Sequence, residues 1–198
     1  MTISPQTEQR LRQGFRYLNK FMLTLWRLGL GYWLNVCPKV FGRYLVITHT
    51  GRKSGLVHHT PVNYAMIGTD LYVTAGFGNA SDWYRNLLAD PFVEVWLKEG
   101  WYDAVAEDVS DVADRLYILR QVIIGSGFVA PLLGLDPYKQ DDATFDELTR
   151  DYRIIRLRCT AARTGPGGPG ELSYIWHLTS LVLLVALVPA LFLRRRRK

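Results

Sequence analysis

The stretch of this sequence best suited to binding chemistry is a short turn with two adjacent cations between two glycines. The segment THTGRKSGLVHHTP covers residues 48–61 and contains Arg52, Lys53 and Ser54 in that turn. Glycines let the backbone approach a ligand, and guanidinium, ammonium and hydroxyl groups donate to anions. The combination is suited to a phosphate or several carboxylates. The spacing is not that of a Walker loop, and a hairpin turn with a solvated basic tip is the simpler alternative.

A second glycine-containing turn follows in TAGFGNASDWYRN, residues 74–86, where a strand leads into a helix. The first amides of a helix attract anions. Trp83 and Tyr84 are suited to covering an aromatic ring, although Trp83 is equally suited to the core, and Arg85 and Asn86 add polar groups. Two such turns in one small domain indicate a long ligand with an anionic tail and a planar head.

Other kinds of chemistry have little support in the sequence. His58 and His59 are adjacent but have no further residues at the spacing of a metal site. Cys37 and Cys159 match no paired zinc-ligand spacing, and we expect both to be free, buried thiols. There is also no recognisable Ser-His-Asp pattern.

Composition and charge narrow the class of protein. The chain has 198 residues, of which 48% are hydrophobic, enough for one packed domain with an appendage. The net charge is +6, but the five terminal residues 194–198 are all cationic, so the rest of the chain is close to neutral. We therefore expect no nucleic-acid partner.

The elements that must position the two turns are short strands with a few helices. Alternating apolar residues and turn signals predict strands at 43–50, 58–68, 70–76, 92–98, 101–109 and 152–158, with helices at 79–90 and 111–125. This pattern is typical of an α+β fold with a small, mostly antiparallel closed or split barrel.

The N-terminal segment, 1–37, is predicted to form an amphipathic helix. Its apolar stripe has helical spacing, with basic residues largely off the stripe: Leu11, Phe15, Leu18, Met22 and Leu25, with Trp26 alongside. Such a helix either lies in a bilayer interface or packs on its own domain.

The C-terminal segment, 173–198, contains no charged residue from Tyr174 to Leu193. As a helix it would be roughly 28 Å long at ~1.5 Å per residue, close to the ~30 Å of a hydrocarbon core. We predict a transmembrane anchor with a basic tail; a buried core helix is the alternative. The segment 159–172 is rich in glycine and proline, which predicts a flexible linker after a folded domain at 38–158.

Several motifs taken together resemble a known family. TGRKSG followed by a proline on the next strand, then AGFG, then WYRNLLADP, is similar to the deazaflavin (F420)-dependent nitroreductases and quinone reductases over about residues 38–158. The resemblance implies a split β-barrel (FMN-binding-like) that binds coenzyme F420, an 8-hydroxy-5-deazaflavin; FMN is the alternative cofactor.

The resemblance also implies which residues bind the cofactor. Those for the phosphate and acidic tail are Arg52, Lys53 and Ser54. Those for the ring and its side chain are His58, His59, Thr60, Pro61, Val62, Asn63, Thr74, Ala75, Gly76 and Phe77. Those that close the site from the helix are Asp82, Trp83, Tyr84, Arg85 and Asn86.

The sequence departs from the family pattern at Phe77 and Asn63, where some relatives carry a polar or cationic residue and a tyrosine, respectively. Tyr138 and Tyr152 are candidates for the substrate side without a secure match, and the apolar stretch 125–140 lies where that wall should be.

The function implied is hydride transfer from reduced F420 to a small-molecule acceptor, a membrane quinone or a nitroaromatic, because a deazaflavin carries the chemistry itself. The alternatives are a non-catalytic carrier of a cofactor or tetrapyrrole and an FMN-dependent reductase. We expect contact with membrane lipid and allow a homodimer. The five terminal charges favour a C-terminus inside the cell, which with a single membrane span would place the barrel outside. The missing export signal and the supply of reduced cofactor favour the opposite arrangement, and we expect the barrel on the cytoplasmic face of the cell membrane.

Overall fold

The barrel expected from the alternating segments is present and consists of six antiparallel strands. The computed structural model describes residues 5–35 and 42–195, with side chains at 13–31, 33, 35 and 42–184. The strands are β1 (Tyr44–Thr50), β2 (Val57–Ile67), β3 (Asp70–Ala75), β4 (Phe92–Leu97), β5 (Gly100–Asp108) and β6 (Arg153–Ala162). They close in the order β1-β2-β3-β6-β5-β4, which confirms an α+β, mostly antiparallel barrel.

Strand alternation decides which side chains fill the barrel. In β1, Leu45 and Ile47 are fully buried in the interior cluster, together with Val73 of β3 and Val95 of β4. The neighbouring residues, such as Val46, belong to a different cluster on the outer face. Because successive side chains of a strand point to opposite faces, Leu45 and Ile47 lie inside the barrel and Val46 lies outside it.

The helices pack around this barrel. They are α1 (Pro5–Arg27), α2 (Gly31–Leu34), α3 (Asp82–Ala89), α4 (Arg115–Ile124), α5 (Val129–Leu132), α6 (Asp142–Thr149) and α7 (Tyr174–Arg195). Helix α3 contributes Tyr84 and Leu87 to the barrel interior. Helix α4 packs with Phe145 of α6 on the outside.

Helices α5 and α6 were not predicted from the sequence. The stretch 125–140 was expected to be an apolar wall, and its only described regular element is the single turn of α5. Helix α6 has a local start signal, because the Asp141 carboxylate accepts a hydrogen bond from the Thr144 N–H at 2.8 Å. An acidic N-cap of this kind satisfies one of the free amides in the first turn.

The apolar stripe of α1 packs on the protein's own barrel. Met22 and Trp26 are 3% and 2% exposed, and Trp26 packs with Val46, Trp96 and Trp101. The N-terminal helix was predicted either to lie in a bilayer interface or to pack on its own domain, and the face with Met22 and Trp26 packs on the domain. The side chain of Leu11 lies outside the described residues.

The C-terminal part differs from the prediction in three ways. Strand β6 continues past Arg158 to Ala162, where it pairs with Tyr102. The glycine- and proline-rich segment is not a free linker, because it contacts α1 and the barrel: the Gly170 N–H, for example, donates to the Trp26 carbonyl at 2.9 Å. Cys159 is a free thiol but is exposed rather than buried. The division of the chain into four segments stays a prediction.

The transmembrane helix is not confirmed. Within the part of the chain whose side chains the structure describes, no helix is both long enough and apolar enough to cross a bilayer. Much of the predicted anchor, from residue 185 onward, lies outside those side chains. Cys37 also lies outside the described residues.

Candidate functional site

The turn between β1 and β2 is tight and closes on itself. The Gly51 N–H donates to the Leu56 carbonyl and the Gly55 N–H donates to the Gly51 carbonyl, both at 2.8 Å. A Cβ at residue 51 would lie 2.6 Å from Ser54 Oγ and 2.7 Å from a ring nitrogen of His58, so a larger residue there would have to displace both side chains. Lys53 and Ser54 at the tip of this turn are exposed to solvent.

Arg52 turns back from the tip onto helix α3. Its Nη1 donates to Asn86 Oδ1 at 2.8 Å, and its Nη2 donates to Asp82 Oδ1 at 3.1 Å. Its backbone N–H also donates to Asn86 Oδ1, at 3.2 Å. The side chain is 19% exposed. Arg52 therefore joins the turn to the helix through contacts within the protein.

A hydrogen-bonded chain continues from Asn86 into the barrel. Because Asn86 Oδ1 accepts from Arg52, its Nδ2 is the group that faces His49 Nδ1 at 3.3 Å and donates to it. The other ring nitrogen, His49 Nε2, then carries the proton and donates to Thr60 Oγ1 at 3.0 Å. Burial, with a smaller contribution from nearby His58, lowers the pKa of His49 to about 4. His49 is thus a neutral connector at physiological pH.

The rim of the site carries an excess of positive charge. Arg52 and Arg85 both pair with the exposed Asp82 carboxylate, at 3.1 and 3.0 Å. The hydrogen bond from Arg52 is the main reason that the pKa of Asp82 lies below its usual value, and Arg85 and Lys53 add to the effect. Three cations around one carboxylate leave a surface that attracts anions.

The second turn, after β3, is shaped by contacts within the protein. Gly78 has φ +52°, and a Cβ there would lie 2.3 Å from the Asp151 carbonyl oxygen. This glycine is thus required by the turn before β6 and not by a ligand. Gly76 is exposed, and Phe77 contacts Phe15 of α1 edge to face with ring centroids 6.1 Å apart. Helix α1 therefore flanks this side of the site.

Strand β2 presents its predicted residues on two faces. Thr60 and Val62 face inward, where Val62 packs against the interior cluster. His59 lies on the other face, with its Nδ1 2.9 Å from Thr48 Oγ1 and its ring 4.9 Å from that of Trp96. The remaining predicted residues of this strand are the exposed His58, the buried Pro61 and the half-buried Asn63, which donates to the Arg43 carbonyl at 3.3 Å.

Tyr84 of helix α3 points into the barrel interior. It is 3% exposed within the barrel interior, and its hydroxyl donates to Asp108 Oδ2 at 2.5 Å. Burial, followed by the bond to Asp108, raises the pKa of Tyr84 to about 12. Its ring is part of the interior core cluster, and its assignment to the cofactor site stays a prediction. Trp83, its neighbour, is half-buried against the same core, and Thr74 is half-buried and Ala75 buried on β3.

The two tyrosines considered for the substrate side lie in different places. A Cβ on Gly76 would lie 3.5 Å from the Tyr152 ring, so Tyr152 adjoins the glycine turn. Tyr138 is 78% exposed on the α5–α6 connection. Tyr152 is therefore the better candidate.

Three neighbours of the site were missed by the sequence analysis: His49, Thr48 and Phe15. His49 could have been found, because strand alternation from Leu45 and Ile47 places it on the inner face of β1. Phe15 had no local signal, since its partner is far away in the chain. Over the described residues, no group of acidic, histidine or cysteine side chains is arranged to hold a metal ion.

Comparison with known proteins confirms the resemblance. The sequence model of the family described as F420H(2)-dependent quinone reductase matches residues 31–125. This range includes both glycine turns and helix α3.

Solved structures with related folds are more distant. A putative 5-nitroimidazole antibiotic resistance protein from Bacteroides thetaiotaomicron is 12% identical, with a TM-score of 0.44 over 61% of this chain and 74% of its own. A conserved hypothetical protein from Mycobacterium tuberculosis is 20% identical, with a TM-score of 0.40 over 62% and 74%. A protein described as an F420-H2 dependent reductase is 19% identical, with a TM-score of 0.42 over 58% and 93%. None of the three is close enough to carry an argument about activity.

Proposed function

Because residues 31–125 match the F420H(2)-dependent quinone reductase family, we propose that this chain is an F420H2-dependent oxidoreductase that reduces a quinone or a nitroaromatic compound. The observation that carries the proposal is the cationic rim, where Arg52 is held by Asp82 and Asn86 beside the exposed Lys53, Ser54 and Arg85. A ligand with a phosphate and an acidic tail matches this rim in charge.

The residues present fit such a cofactor at its anionic end. Lys53 and Ser54 offer an ammonium and a hydroxyl at the tip of the turn, and a Cβ on Gly55 would meet nothing within 4 Å, so this side of the turn is open. Arg52 has donors committed to Asp82 and Asn86, which fixes its position but leaves fewer for a ligand. Lys53, Ser54 and Arg85 would therefore make the direct contacts, with Arg52 holding the turn in place.

The chemistry would be supplied by the bound deazaflavin, whose ring donates a hydride. The protein's own task is to bind and orient the two reactants. The buried chain from Arg52 through Asn86 and His49 to Thr60 fixes the turn relative to two strands. Phe77 and Phe15 provide apolar surface beside the second turn, where a planar acceptor would be shielded from water.

A quinone acceptor agrees with the uncharged run from Tyr174 to Leu193, which we propose associates with membrane lipid. Location at the cytoplasmic face of the cell membrane remains part of the proposal. A homodimer also stays a prediction.

The test is a titration of the full chain with F420, followed by stopped-flow oxidation of F420H2 with a menaquinone analogue or a nitroaromatic compound. We expect saturable binding and faster oxidation with the chain than without it. Binding without turnover would instead indicate the carrier, and binding of FMN in place of F420 would indicate a flavin reductase.

Matched variants test the rim. Lys53→Ala and Arg85→Ala should each weaken F420 binding roughly ten- to a hundredfold, as expected for one charge-assisted contact. Lys98→Ala removes an exposed lysine at the β4–β5 turn, at the other end of β4 from Phe92, and should leave the affinity unchanged. If all three variants bind F420 with equal affinity, the cationic rim is not part of the cofactor site.

A further inference from the structure

The segment after β6 has a structural role that its composition does not suggest. Residues 163–176, here called the strap, begin against the barrel: the Arg163 N–H donates to the Trp101 carbonyl at 2.7 Å, and its guanidinium lies 4.9 Å from the centre of the Trp101 ring. Gly168 lies directly on the same ring, because a Cβ there would be 2.5 Å from a Trp101 carbon. The strap is therefore seated on the outer face of β5.

The strap then reaches the end of α1 and binds its last carbonyl groups. The Gly170 N–H donates to the Trp26 carbonyl at 2.9 Å, and the Leu172 N–H donates to the Arg27 carbonyl at 2.8 Å. Trp176 Nε1 donates to the Leu28 carbonyl at 2.9 Å, and Glu171 forms an ion pair with Arg27. The last carbonyls of a helix have no partners within the helix, so the strap caps α1.

The contact between α1 and the barrel beneath the strap is mainly apolar. Trp26 packs with Val46, Trp96 and Trp101, but the buried Nε1 atoms of Trp26 and Trp96 have no hydrogen-bond partner within the described part of the chain. Apolar contacts are weakly directional. The polar groups of the strap consequently supply the directional attachment of this end of α1.

Near its middle, α1 reaches the candidate site. Phe15 contacts Phe77, which lies on the turn between β3 and α3. The same helix therefore touches the strap at residues 26–28 and the site at residue 15.

We propose that the strap holds α1 as one wall of the site and so couples the start of helix α7 to the access of the acceptor. The effect on the acceptor rests on the proposed function, whereas the attachment of α1 by the strap does not depend on it. Any event that displaces Trp176 at the start of α7 would free the Leu28 carbonyl directly after α1, weaken the attachment of this helix and so loosen Phe15 from Phe77.

The attachment is tested by hydrogen–deuterium exchange of the full chain. Trp176→Phe keeps a ring but removes the donor to Leu28, and Gly168→Ala forces a Cβ against Trp101. Each should speed exchange of the amides in residues 13–27, roughly two- to tenfold for one lost hydrogen bond, while β1 stays unchanged. Tyr174→Phe is the control, because it changes a 54% exposed side chain at the start of the same helix, α7.

If Gly168→Ala does not fold, Trp176→Phe alone decides the result. If the amides of α1 exchange at the same rate in Trp176→Phe as in the parent chain, the proposal that the strap holds α1 is wrong.

The coupling is tested by kinetics on Trp176→Phe. We expect a several-fold change in the KM for the acceptor with an unchanged Kd for F420. If α1 exchanges faster but the KM for the acceptor is unchanged, the strap holds α1 but does not control access of the acceptor. If the parent chain oxidises no F420H2, the proposed function fails, yet the exchange experiment still decides whether the strap holds α1.

Discussion

Asn86 accepts two hydrogen bonds from Arg52 through a single oxygen, from the backbone N–H at 3.2 Å and from Nη1 at 2.8 Å. One buried amide thus fixes both the path of the turn and the direction of its first cation. The same side chain also binds His49 inside the barrel. The geometry of the rim therefore depends on a residue that is 5% exposed and offers a ligand little surface.

Replacing Asn86 with alanine should lower both stability and cofactor affinity. The buried His49 ring and the Arg52 N–H would lose their partners, at a cost of roughly 1–3 kcal/mol in the free energy of unfolding. Chemical denaturation measures this cost. Asn79→Ala, at an exposed position in the preceding turn, is the control and should leave the free energy of unfolding nearly unchanged.

Arg52 and Lys53 should differ when replaced singly. Arg52→Ala removes bonds to Asp82 and Asn86, so it should reduce the melting temperature as well as F420 binding. Lys53→Ala at the exposed tip should reduce binding alone. Parallel melting curves and F420 titrations measure both effects. If Arg52→Ala keeps the melting temperature of the parent, the link between the turn and α3 contributes no stability.

The buried His49 predicts a loss of stability in mild acid. Its pKa of about 4 lies below the 6.5 of an unfolded histidine, so the unfolded chain binds a proton first as the pH falls. The contribution is complete above pH 6.5 and should decrease by about 2 kcal/mol on going to pH 5. Denaturant unfolding at pH 7.5 and pH 5 tests this in the parent and in His49→Gln. An equally steep pH dependence in both proteins would show that His49 is not its source.

Tyr84 should matter for folding through its hydroxyl. Bonds from Ser110 and Tyr84 outweigh the partial burial of Asp108 and hold the pKa of its carboxyl below the usual value. Tyr84→Phe leaves Asp108 Oδ2 without this donor, which should cost roughly 1.5–3 kcal/mol because the acceptor is charged. Urea unfolding at neutral pH measures the loss. We expect unchanged F420 affinity in the folded fraction; a large loss of affinity there would return Tyr84 to the cofactor site.

The strands could be predicted because their signals are local. Leu45 and Ile47 alternate with outward residues, and glycines mark the turn before β2. Each strand and turn of the barrel can therefore be predicted from a few consecutive residues. The two glycine turns were placed for the same reason. The family motifs then pointed to the cationic rim.

The parts that could not be predicted depend on distant partners. Tyr84 was assigned to a ligand because its aromatic ring follows a glycine turn, whereas Asp108 on another strand binds its hydroxyl in the core. The cation Arg52 was expected to face a ligand directly, but Asp82 and Asn86 on α3 bind it. Gly168 belongs to a segment with the composition of a linker, and its contacts with the distant Trp101 and with the end of α1 order that segment.

The strand order bears on how the polypeptide matures on the ribosome. Strand β6 lies between β3 and β5 and hydrogen-bonds to both, yet it is the last strand to be synthesised. Until residue 162 has emerged, β3 and β5 each keep one unpaired edge, which is a template for association with other nascent chains. A fragment limited to residues 31–125, the range that carries the family pattern, would lack this closing strand and should aggregate.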